Sequence, residues 1–267
     1  MILAGTCPAA TGSRAKHVAS YHSLNPVSIK RVNHRNHRRV LVVDGRAGFT
    51  GGTGIGDKWT GDGRTKGHWR QTDVRVEGPI VRSLLGGDAY FPELPPRGPL
   101  IAQSIKSSPA SGAAEAHVLF LLAIDAARSS ILITNPYFVP DGRMTDAFVR
   151  AAKRGVDVQI ITAGVVDTTL DRIVRKASQA HFGRVLEAGA QIYEYGPALL
   201  HAKTIVVDGR WVTIGSANLD NRSFQLNNEL NVAFLDKGMA TRMTEIFRDD
   251  LTYTRQVTYE EWQRDQL

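Results

Sequence analysis

Apolar positions along the second half of the chain follow two alternating patterns. Short runs rich in β-branched residues are typical of buried strands, and they cover 130–134, 156–162 and 191–195. Longer stretches place apolar residues on one face of a helix, and they cover 113–128, 145–154 and 168–187. Strands that alternate with helices predict an α/β fold with a largely parallel central sheet.

The first half has a different pattern. Residues 38–50 are strand-like on either side of an Asp-Gly pair, which predicts a β-hairpin, and residues 73–77 predict one further strand. Between them, residues 51–67 are rich in glycine and charge, so we interpret them as a loop. Residues 86–112 are rich in proline, glycine and serine, which indicates a connector between two halves.

A hairpin in the second half carries the candidate chemistry. His201 and Lys203 lie two residues apart before a β-branched run, so their side chains share one face of a strand. The Asp-Gly pair at Asp208 predicts the turn, and the return strand leads to Ser216 and Asn218. An imidazole, an ammonium group and small hydrogen-bond donors that converge in this way indicate a phosphate site.

The same arrangement occurs earlier in the chain, which indicates two related halves that each deliver one histidine. His37 matches His201, and the two segments agree through a shared Val-Val-Asp-Gly-Arg ending. The positions that match Lys203, Asp208, Ser216 and Asn218 hold Arg39, Asp44, Gly52 and Gly54. The first motif therefore keeps a histidine and a cation but has no side chain where the second has asparagine.

Two copies of a His-x-cation motif, each followed by an Asp-Gly turn and a pair of small residues, resemble the phospholipase D superfamily. Further stretches resemble bacterial cardiolipin synthases: FTGG at 49–52, VRVEGP at 74–79, NPYFVP at 135–140 and NLDNRSFQLNNE at 218–229. The resemblance runs over about 32–236 of the chain. It implies an α/β fold of two phospholipase D-like half-domains, each a mostly parallel sheet flanked by helices, with the active site at their interface.

The repeat and the resemblance together predict three segments. These are an N-terminal half with the first histidine motif at 1–85, a linker at 86–112 and a C-terminal half with the second motif at 113–267. The second half has room for a full set of strands and helices before His201, whereas 36 residues precede His37. We therefore expect the first half to be truncated relative to the second.

Two histidines from opposite halves suit phosphodiester transfer: one attacks phosphorus to form a phosphohistidine, and the other protonates the leaving alcohol and then activates the acceptor. The residues alone do not rank them, but the resemblance implies that His37 is the nucleophile and His201 the acid and base. Lys203 and Arg39 are predicted to bind the phosphate, and arginine in place of the family's lysine keeps the charge but changes the shape of the donor. Further phosphate contacts are predicted from Ser216, Asn218 and Gly52.

The remaining candidates are carboxylates and an amide. By resemblance, Glu229 orients a histidine through a carboxylate–imidazole contact, and Gln71 or Asp73 is its counterpart in the first half. Asp44 and Asp208 complete the candidate catalytic set. Because Asp-Gly pairs favour turns for conformational reasons alone, we interpret these two aspartates as structural supports, with a direct catalytic role as the alternative.

Composition and charge narrow the class of partner. A hydrophobic content of 42% is that of an ordinary globular protein, and the longest apolar run, near 118–124, is too short to span a bilayer. The net charge of +7 favours an anionic partner. The chain has no Walker loop, no HExxH motif and no zinc spacing of cysteine and histidine, so we predict no metal and no cofactor.

The resemblance implies a phosphatidyltransferase of cardiolipin synthase type that condenses phosphatidylglycerol and releases glycerol. The predicted partner is this anionic phospholipid at a membrane surface, with the protein peripheral on the cytoplasmic face of the bacterial inner membrane. One alternative is a phospholipase D, phosphodiesterase or nuclease that uses water, although the VRVEGP and NPYFVP stretches favour lipid over nucleic acid. Another is a non-catalytic phosphate-binding remnant, for which the short first half, Arg39 and Gly54 argue.

Overall fold

Two sheets of unequal size form the framework in a computed structural model, which describes residues 2–3, 34–85, 92–109, 114–164 and 169–265. The elements of the first half are strands β1 (Ile2–Leu3), β2 (Arg35–Asn36), β3 (Val40–Val43), β4 (Ala47–Gly51) and β5 (Asp73–Glu77), and helix α1 (Ile80–Leu85). Four of these strands form an antiparallel sheet in the order β1-β5-β4-β3. A short 3₁₀ turn, Asp57–Trp59, lies in the loop between β4 and β5.

The second half builds a larger sheet that is flanked by helices. Its elements are β6 (Ile101–Ser107), α2 (Glu115–Ala126), β7 (Ser130–Thr134), β8 (Phe138–Val139), α3 (Gly142–Lys153), β9 (Asp157–Ala163), α4 (Thr169–Ala180), α5 (Phe182–Glu187), β10 (Gln191–Tyr195), β11 (Thr204–Val207), β12 (Trp211–Gly215), β13 (Leu219–Asp220), α6 (Asn221–Gln225), β14 (Asn227–Leu235), α7 (Lys237–Leu251), β15 (Thr254–Val257) and α8 (Tyr259–Arg264). The strands follow the order β15-β10-β9-β7-β11-β12-β14, and both β6 and β2 pair with β14.

The predicted α/β class is confirmed, and the share of parallel pairing is smaller than predicted. Strands β7, β9 and β10 are parallel to one another, as strands joined through helices usually are. The hairpin β11–β12 and strands β14, β6 and β15 add antiparallel ladders. The hairpin is antiparallel because three residues, Asp208 to Arg210, join its strands. Asp208 and Gly209 adopt positive φ angles, 52° and 59°, in the turn that the hydrogen bond from Arg210 to Val207 closes.

One strand lies within the segment predicted as a linker. Strand β6 pairs with β14 from Glu229 to Leu235. Prolines lie on both sides of it, at Pro99 and Pro109, so every residue of the strand keeps its backbone donor. The linker is therefore shorter than 86–112 in the part that the structure describes; residues 86–91 and 110–112 lie outside that part.

The single helix predicted over 168–187 is two helices that meet at His181; its first residue lies outside the described part of the chain. The indole nitrogen of Trp262 donates to the Gln179 carbonyl at 2.6 Å. In a continuous helix this carbonyl would accept from the Gly183 N–H. A Cβ atom at Gly183 would overlap the Trp262 ring, so glycine is needed for the close approach. The break therefore comes from a tryptophan far along the chain.

The two sheets pack against each other through apolar side chains. Val42, Val74 and Val76 of the small sheet belong to the same buried cluster as Val212 and Val232 of the large sheet. Helices α2, α3 and α5 contribute to a second cluster on the large sheet. Burying one such side chain stabilises a fold by about 1.5–3 kcal/mol. This contact therefore holds the two hairpins, and the histidine motifs that they carry, at one interface.

A buried ion pair joins the loop before β5 to helix α7. Arg70 donates from Nε and Nη2 to the two carboxylate oxygens of Asp250 at 2.6 and 2.9 Å. The two side chains are 7% and 4% exposed. Burial raises the pKa of Asp250, and Arg70 opposes this effect. Because the backbone of Arg70 also bridges to Leu200, the ion pair holds the first half beside the residue that precedes His201.

We expect Asp250→Asn to lower the free energy of unfolding by roughly 3–5 kcal/mol, because it leaves the buried guanidinium of Arg70 without its counter-charge. Denaturant unfolding measures this change. Asp249→Asn is the matched control, since Asp249 pairs with Arg64 at the surface, where such pairs contribute about 0–1 kcal/mol. Equal losses of unfolding free energy for the two variants would show that the buried pair stabilises the fold no more than the surface pair does.

Candidate active site

Groups from the second half hold His37. Strand β2 runs parallel to the start of β14, and the His37 N–H donates to the Asn228 carbonyl at 2.9 Å. Nδ1 of His37 lies 2.9 Å from both carboxylate oxygens of Glu229. Glu229 is fully buried and also accepts from the Ser216 hydroxyl at 2.5 Å and from the Asn227 amide at 3.1 Å. An ionised carboxylate only accepts, so it favours a proton on Nδ1 and leaves Nε2 as the free ring nitrogen.

Groups from the first half hold His201 in the same manner. The His201 N–H donates to the Arg70 carbonyl at 2.8 Å, next to the bridge between Arg70 and Leu200. Nδ1 of His201 lies 3.3 Å from the amide nitrogen of Gln71 and 2.9 Å from Nζ of Lys203. Each histidine is thus anchored by a backbone carbonyl and a side chain that follow the other histidine motif in sequence.

Strand registers identify Gln71 as the counterpart of Glu229. Asp73 in β5 and Asn231 in β14 lie opposite the matched glycines that end β4 and β12. Gln71 and Glu229 each lie two residues before these positions. Of the two candidates in the first half, Gln71 therefore has the equivalent position and contacts a histidine. Asp73 instead accepts hydrogen bonds from the backbone and hydroxyl of Thr53.

Small residues after the hairpins fit around the histidine partners. Ser216 donates its hydroxyl proton to Glu229. At the matching position, Gly52, a Cβ atom would overlap the amide of Gln71. Asn218 is buried, and its Oδ1 has no hydrogen-bond partner among the residues that the structure describes. The geometry thus gives Ser216 and Gly52 a role beside the histidine partners, and phosphate contacts from these three residues stay predictions.

Lys203 is buried beside His201, with 2% of its surface exposed. Its Nζ lies 2.9 Å from Nδ1 of His201 and donates to the His201 carbonyl at 2.5 Å. Burial lowers the pKa of Lys203 well below its usual value, and the nearby charge of Arg39 lowers it further. A buried ammonium group beside a second cation is stabilised when an anion binds, so this arrangement suits an anionic ligand.

Two tryptophans that sequence reasoning did not single out cover His201. The ring centroids of Trp59 and Trp69 lie 5.0 and 5.2 Å from that of His201, and Nζ of Lys58 lies 3.7 Å from the Trp69 centroid. His201 is 5% exposed, and burial together with the surrounding cations lowers its pKa well below 6.5. The sequence signal for this cover is that two large rings lie in a glycine-rich, charged loop.

Arg39 occupies space that an asparagine side chain would need. Its guanidinium carbon lies 4.9 Å from the Trp59 centroid. A Cβ atom added at Gly54 would lie 2.7 Å from Nη1 of Arg39 and 2.8 Å from Nε1 of Trp59. Gly54 is the repeat equivalent of Asn218, and Arg39 that of Lys203. The longer side chain of Arg39 therefore fills the space that an asparagine side chain at position 54 would need.

The two turn aspartates lie at the ends of the hairpins away from the histidines. Asp208 accepts from the backbone N–H groups of Arg128, Ser129 and Ser130 at 2.8 to 3.1 Å. Burial opposes the charge of Asp208, but these donors outweigh that effect and lower its pKa. Asp44 occupies the equivalent turn, with a φ of 53°, and is exposed. Asp208 thus supports the loop before β7.

Comparison with known proteins places the chain among phospholipase D-like sequences. Residues 120–251 match the family model described as cardiolipin synthase, PLD-like domain. The major cardiolipin synthase ClsA of Bacillus subtilis is 35% identical over 256 residues, which cover 90% of this chain and 52% of the relative. Cardiolipin synthase A of Pseudomonas putida is 36% identical over 245 residues, with coverages of 87% and 50%. The chain spans about half the length of these curated relatives.

Two solved structures have the same fold. The phospholipase D family member Nuc from Salmonella typhimurium is 28% identical, with a TM-score of 0.51, and the match covers 60% of this chain and 99% of that one. The phosphatidylserine synthase of Haemophilus influenzae is 14% identical, with a TM-score of 0.66 and coverages of 85% and 64%. At that identity the second likeness concerns the fold alone.

We expect Asp208→Asn to destabilise the protein by about 1 kcal/mol at neutral pH, because solvent screens the partly exposed charge that three backbone donors share. Asparagine tolerates the positive φ, so the change isolates the charge. Since the pKa of Asp208 is lowered in the folded state, its contribution is present above the unfolded pKa, about 3.9, and disappears as the pH falls through the folded value.

Denaturant unfolding at several pH values measures this difference. Asp44→Asn, the matched change at the exposed turn, is expected to leave the free energy of unfolding almost unchanged. A loss that persists at strongly acidic pH, or one that is equal at both turns, would contradict the assignment.

The compensation between Arg39 and Gly54 predicts non-additive kinetics. Gly54→Asn alone is expected to lower the rate of any phosphodiester transfer at this candidate site, because the new side chain meets Arg39 and Trp59. Adding Arg39→Lys should restore the rate and provide a new donor, and one charge-assisted hydrogen bond contributes roughly 1.5–3 kcal/mol, or about ten- to a hundredfold in rate. A double-mutant cycle measures the coupling. If the two substitutions change the activation free energy additively, the side chains at positions 39 and 54 do not compete for the same space.

Proposed function

Because the chain belongs to the phospholipase D superfamily and is similar to cardiolipin synthases, we propose that it is a phosphatidyltransferase of cardiolipin synthase type. It joins two molecules of phosphatidylglycerol into cardiolipin and releases glycerol. The observation that carries this proposal is the crossed anchoring of two histidines. Each is held through Nδ1 by a side chain that follows the other motif, so both face one interface.

The first half of the reaction forms a phosphohistidine. Nε2 of His37 attacks the phosphorus of one phosphatidylglycerol, and the bond from phosphorus to the oxygen of the headgroup glycerol breaks. Protonated His201 gives its proton to the departing glycerol oxygen. Glu229 accepts a hydrogen bond from Nδ1 of His37 and stabilises the positive charge that develops on the ring. Lys203 and Arg39 offset the negative charge on the non-bridging oxygens.

The second half transfers the phosphatidyl group to the acceptor. Neutral His201 removes a proton from a glycerol hydroxyl of the second phosphatidylglycerol, and that oxygen attacks the phosphorus. The nitrogen–phosphorus bond breaks, and its electron pair returns to His37. Both histidines recover their starting protonation states, and the new phosphodiester leaves as cardiolipin.

We infer an anionic phospholipid surface as the partner. The chain has a net charge of +7. In the loop beside the site, Ile55 is fully exposed, and Lys58, Arg64 and Lys66 lie nearby in sequence. An exposed isoleucine among cations suits contact with anionic headgroups. In the part of the chain that the structure describes, no helix has the length and apolar character to cross a membrane. The proposed location is peripheral, on the cytoplasmic face of the bacterial inner membrane.

The division of labour between the halves is part of the proposal. Residues 1–85 would form one phospholipase D-like half and residues 113–267 the other. The separate small and large sheets, each with one histidine hairpin, support this division.

Hydrolysis with water as the acceptor is a second candidate. The likeness to Nuc at 28% identity and the 24% exposure of the His37 side chain support it, since water can reach a phosphohistidine that is open to solvent. A non-catalytic phosphate-binding remnant is a third candidate, which the altered residues Arg39 and Gly54 support.

Products formed from phosphatidylglycerol vesicles test the proposal. We expect cardiolipin and glycerol to form in the presence of EDTA, because the proposed steps use side chains and no metal ion. His37→Ala and His201→Ala should each lower the rate by about a hundredfold or more. His34→Ala is the matched control, since His34 lies just before the motif and should be dispensable.

Thermal unfolding of each variant separates loss of chemistry from loss of fold. Phosphatidic acid as the main product would favour hydrolysis. A folded native protein that forms neither product would favour the phosphate-binding remnant. Activity of His37→Ala equal to that of the native protein would refute the two-histidine mechanism.

A further inference from the structure

The two histidines have chemically different partners at equivalent positions. Nδ1 of His37 faces the carboxylate of Glu229, whereas Nδ1 of His201 faces the amide of Gln71 and the Nζ of Lys203. The strand registers show that these partners correspond. A carboxylate carries the negative charge that balances a protonated imidazole, and an amide does not. The two halves therefore support different protonation chemistry.

The surroundings of Gln71 allow its amide to serve both forms of His201. Gln71 is 9% exposed, and its Oε1 has no hydrogen-bond partner in the described ranges. The serine that donates to Glu229 in the other half is replaced here by Gly52, so Oε1 lacks that donor. A carboxamide can donate to a neutral ring nitrogen or, after turning, accept from a protonated one. Glutamine thus orients the ring without selecting its charge.

The charged groups that act most strongly on His201 are cations or another histidine. Lys203 follows His201 by two residues. Arg39 and His37 belong to the first histidine motif, and Lys58 belongs to the 3₁₀ turn. Burial is the largest cause of the lowered pKa of His201, and these four groups lower it further. The carboxylates of this region, Glu229, Asp220 and Asp73, act on Lys203.

We propose that Gln71 is the positioning residue of His201, and that it leaves the counter-charge for the protonated form of this histidine to the phosphodiester of the substrate. The inference rests on the proposed function, in which His201 must be protonated before it can release glycerol. Binding of an anionic phosphodiester next to Lys203 and Arg39 brings the missing negative charge, and His201 then takes a proton from solvent. The negative charge of the bound substrate therefore stabilises the protonated form of His201 that the release of glycerol requires.

NMR of the histidine rings tests this inference without lipid turnover. Protein labelled at its imidazoles is titrated with and without dimethyl phosphate, a phosphodiester that stays anionic, and His201→Asn identifies the signal. In the native protein, the midpoint of His201 should rise when dimethyl phosphate binds. In Gln71→Glu, it should already be higher by about one pH unit or more without ligand, and dimethyl phosphate should raise it less.

Gln256→Glu is the matched control, because it adds the same charge on the exposed strand β15 and should leave the midpoint unchanged. Reaction rates supply a second measurement. At alkaline pH, where protonated His201 limits the rate, Gln71→Glu should be faster by up to about tenfold for each pH unit that the midpoint moves.

The titration and the assay separate two kinds of failure. If the midpoint of His201 in the native protein is the same with and without dimethyl phosphate, the inference is overturned, whether or not the lipid reaction occurs. The same holds if Gln71→Glu folds and leaves the midpoint unchanged. If both midpoints move as expected but no lipid product forms, the inference stands and the proposed function fails.

Discussion

The candidate active site depends on two backbone hydrogen bonds that cross between the halves, from His37 to Asn228 and from His201 to Arg70. Apolar contact between the sheets supplies stability, but it does not by itself decide which residues lie opposite each other. The crossing bonds do, because a shift of one residue along an extended segment turns every side chain to the other face. A histidine shifted in this way would lose its partner. The site therefore forms only when both halves are folded and in register.

The same interface concentrates positive charge in a place that water hardly reaches. Lys203 is buried and Arg39 is partly buried, while the nearby carboxylates are engaged with other groups. Glu229 holds a histidine, Asp73 accepts from a threonine, and Asp220 caps helix α6. Burial raises the pKa of both Asp73 and Asp220. The buried Lys203 and the partly buried Arg39 thus suit an anionic ligand.

The sequence was sufficient to predict the hairpins, because a turn, a cation and two small residues are all recorded within a short stretch. It did not decide between Gln71 and Asp73, since that choice depends on which strand positions pair across the sheet. It places two large rings, Trp59 and Trp69, in or beside a glycine-rich loop, but it does not show that they cover His201, because that contact joins the two halves. The helix break at His181 was missed for the same reason, as its cause lies far away in sequence.

The crossed anchoring has a consequence for the two copies of the repeat as they diverge. Gln71 and Arg39 of the first copy differ from their counterparts in the second copy. Gln71 contacts the histidine of the second copy, and Arg39 lowers the pKa of that histidine. The histidine of the first copy takes its carboxylate from the second, where Glu229 and its donors are intact. Each histidine thus belongs to one copy, while the side chain that holds it belongs to the other copy. A change in one copy therefore alters the surroundings of the histidine in the other copy, while its own histidine is held by residues encoded elsewhere.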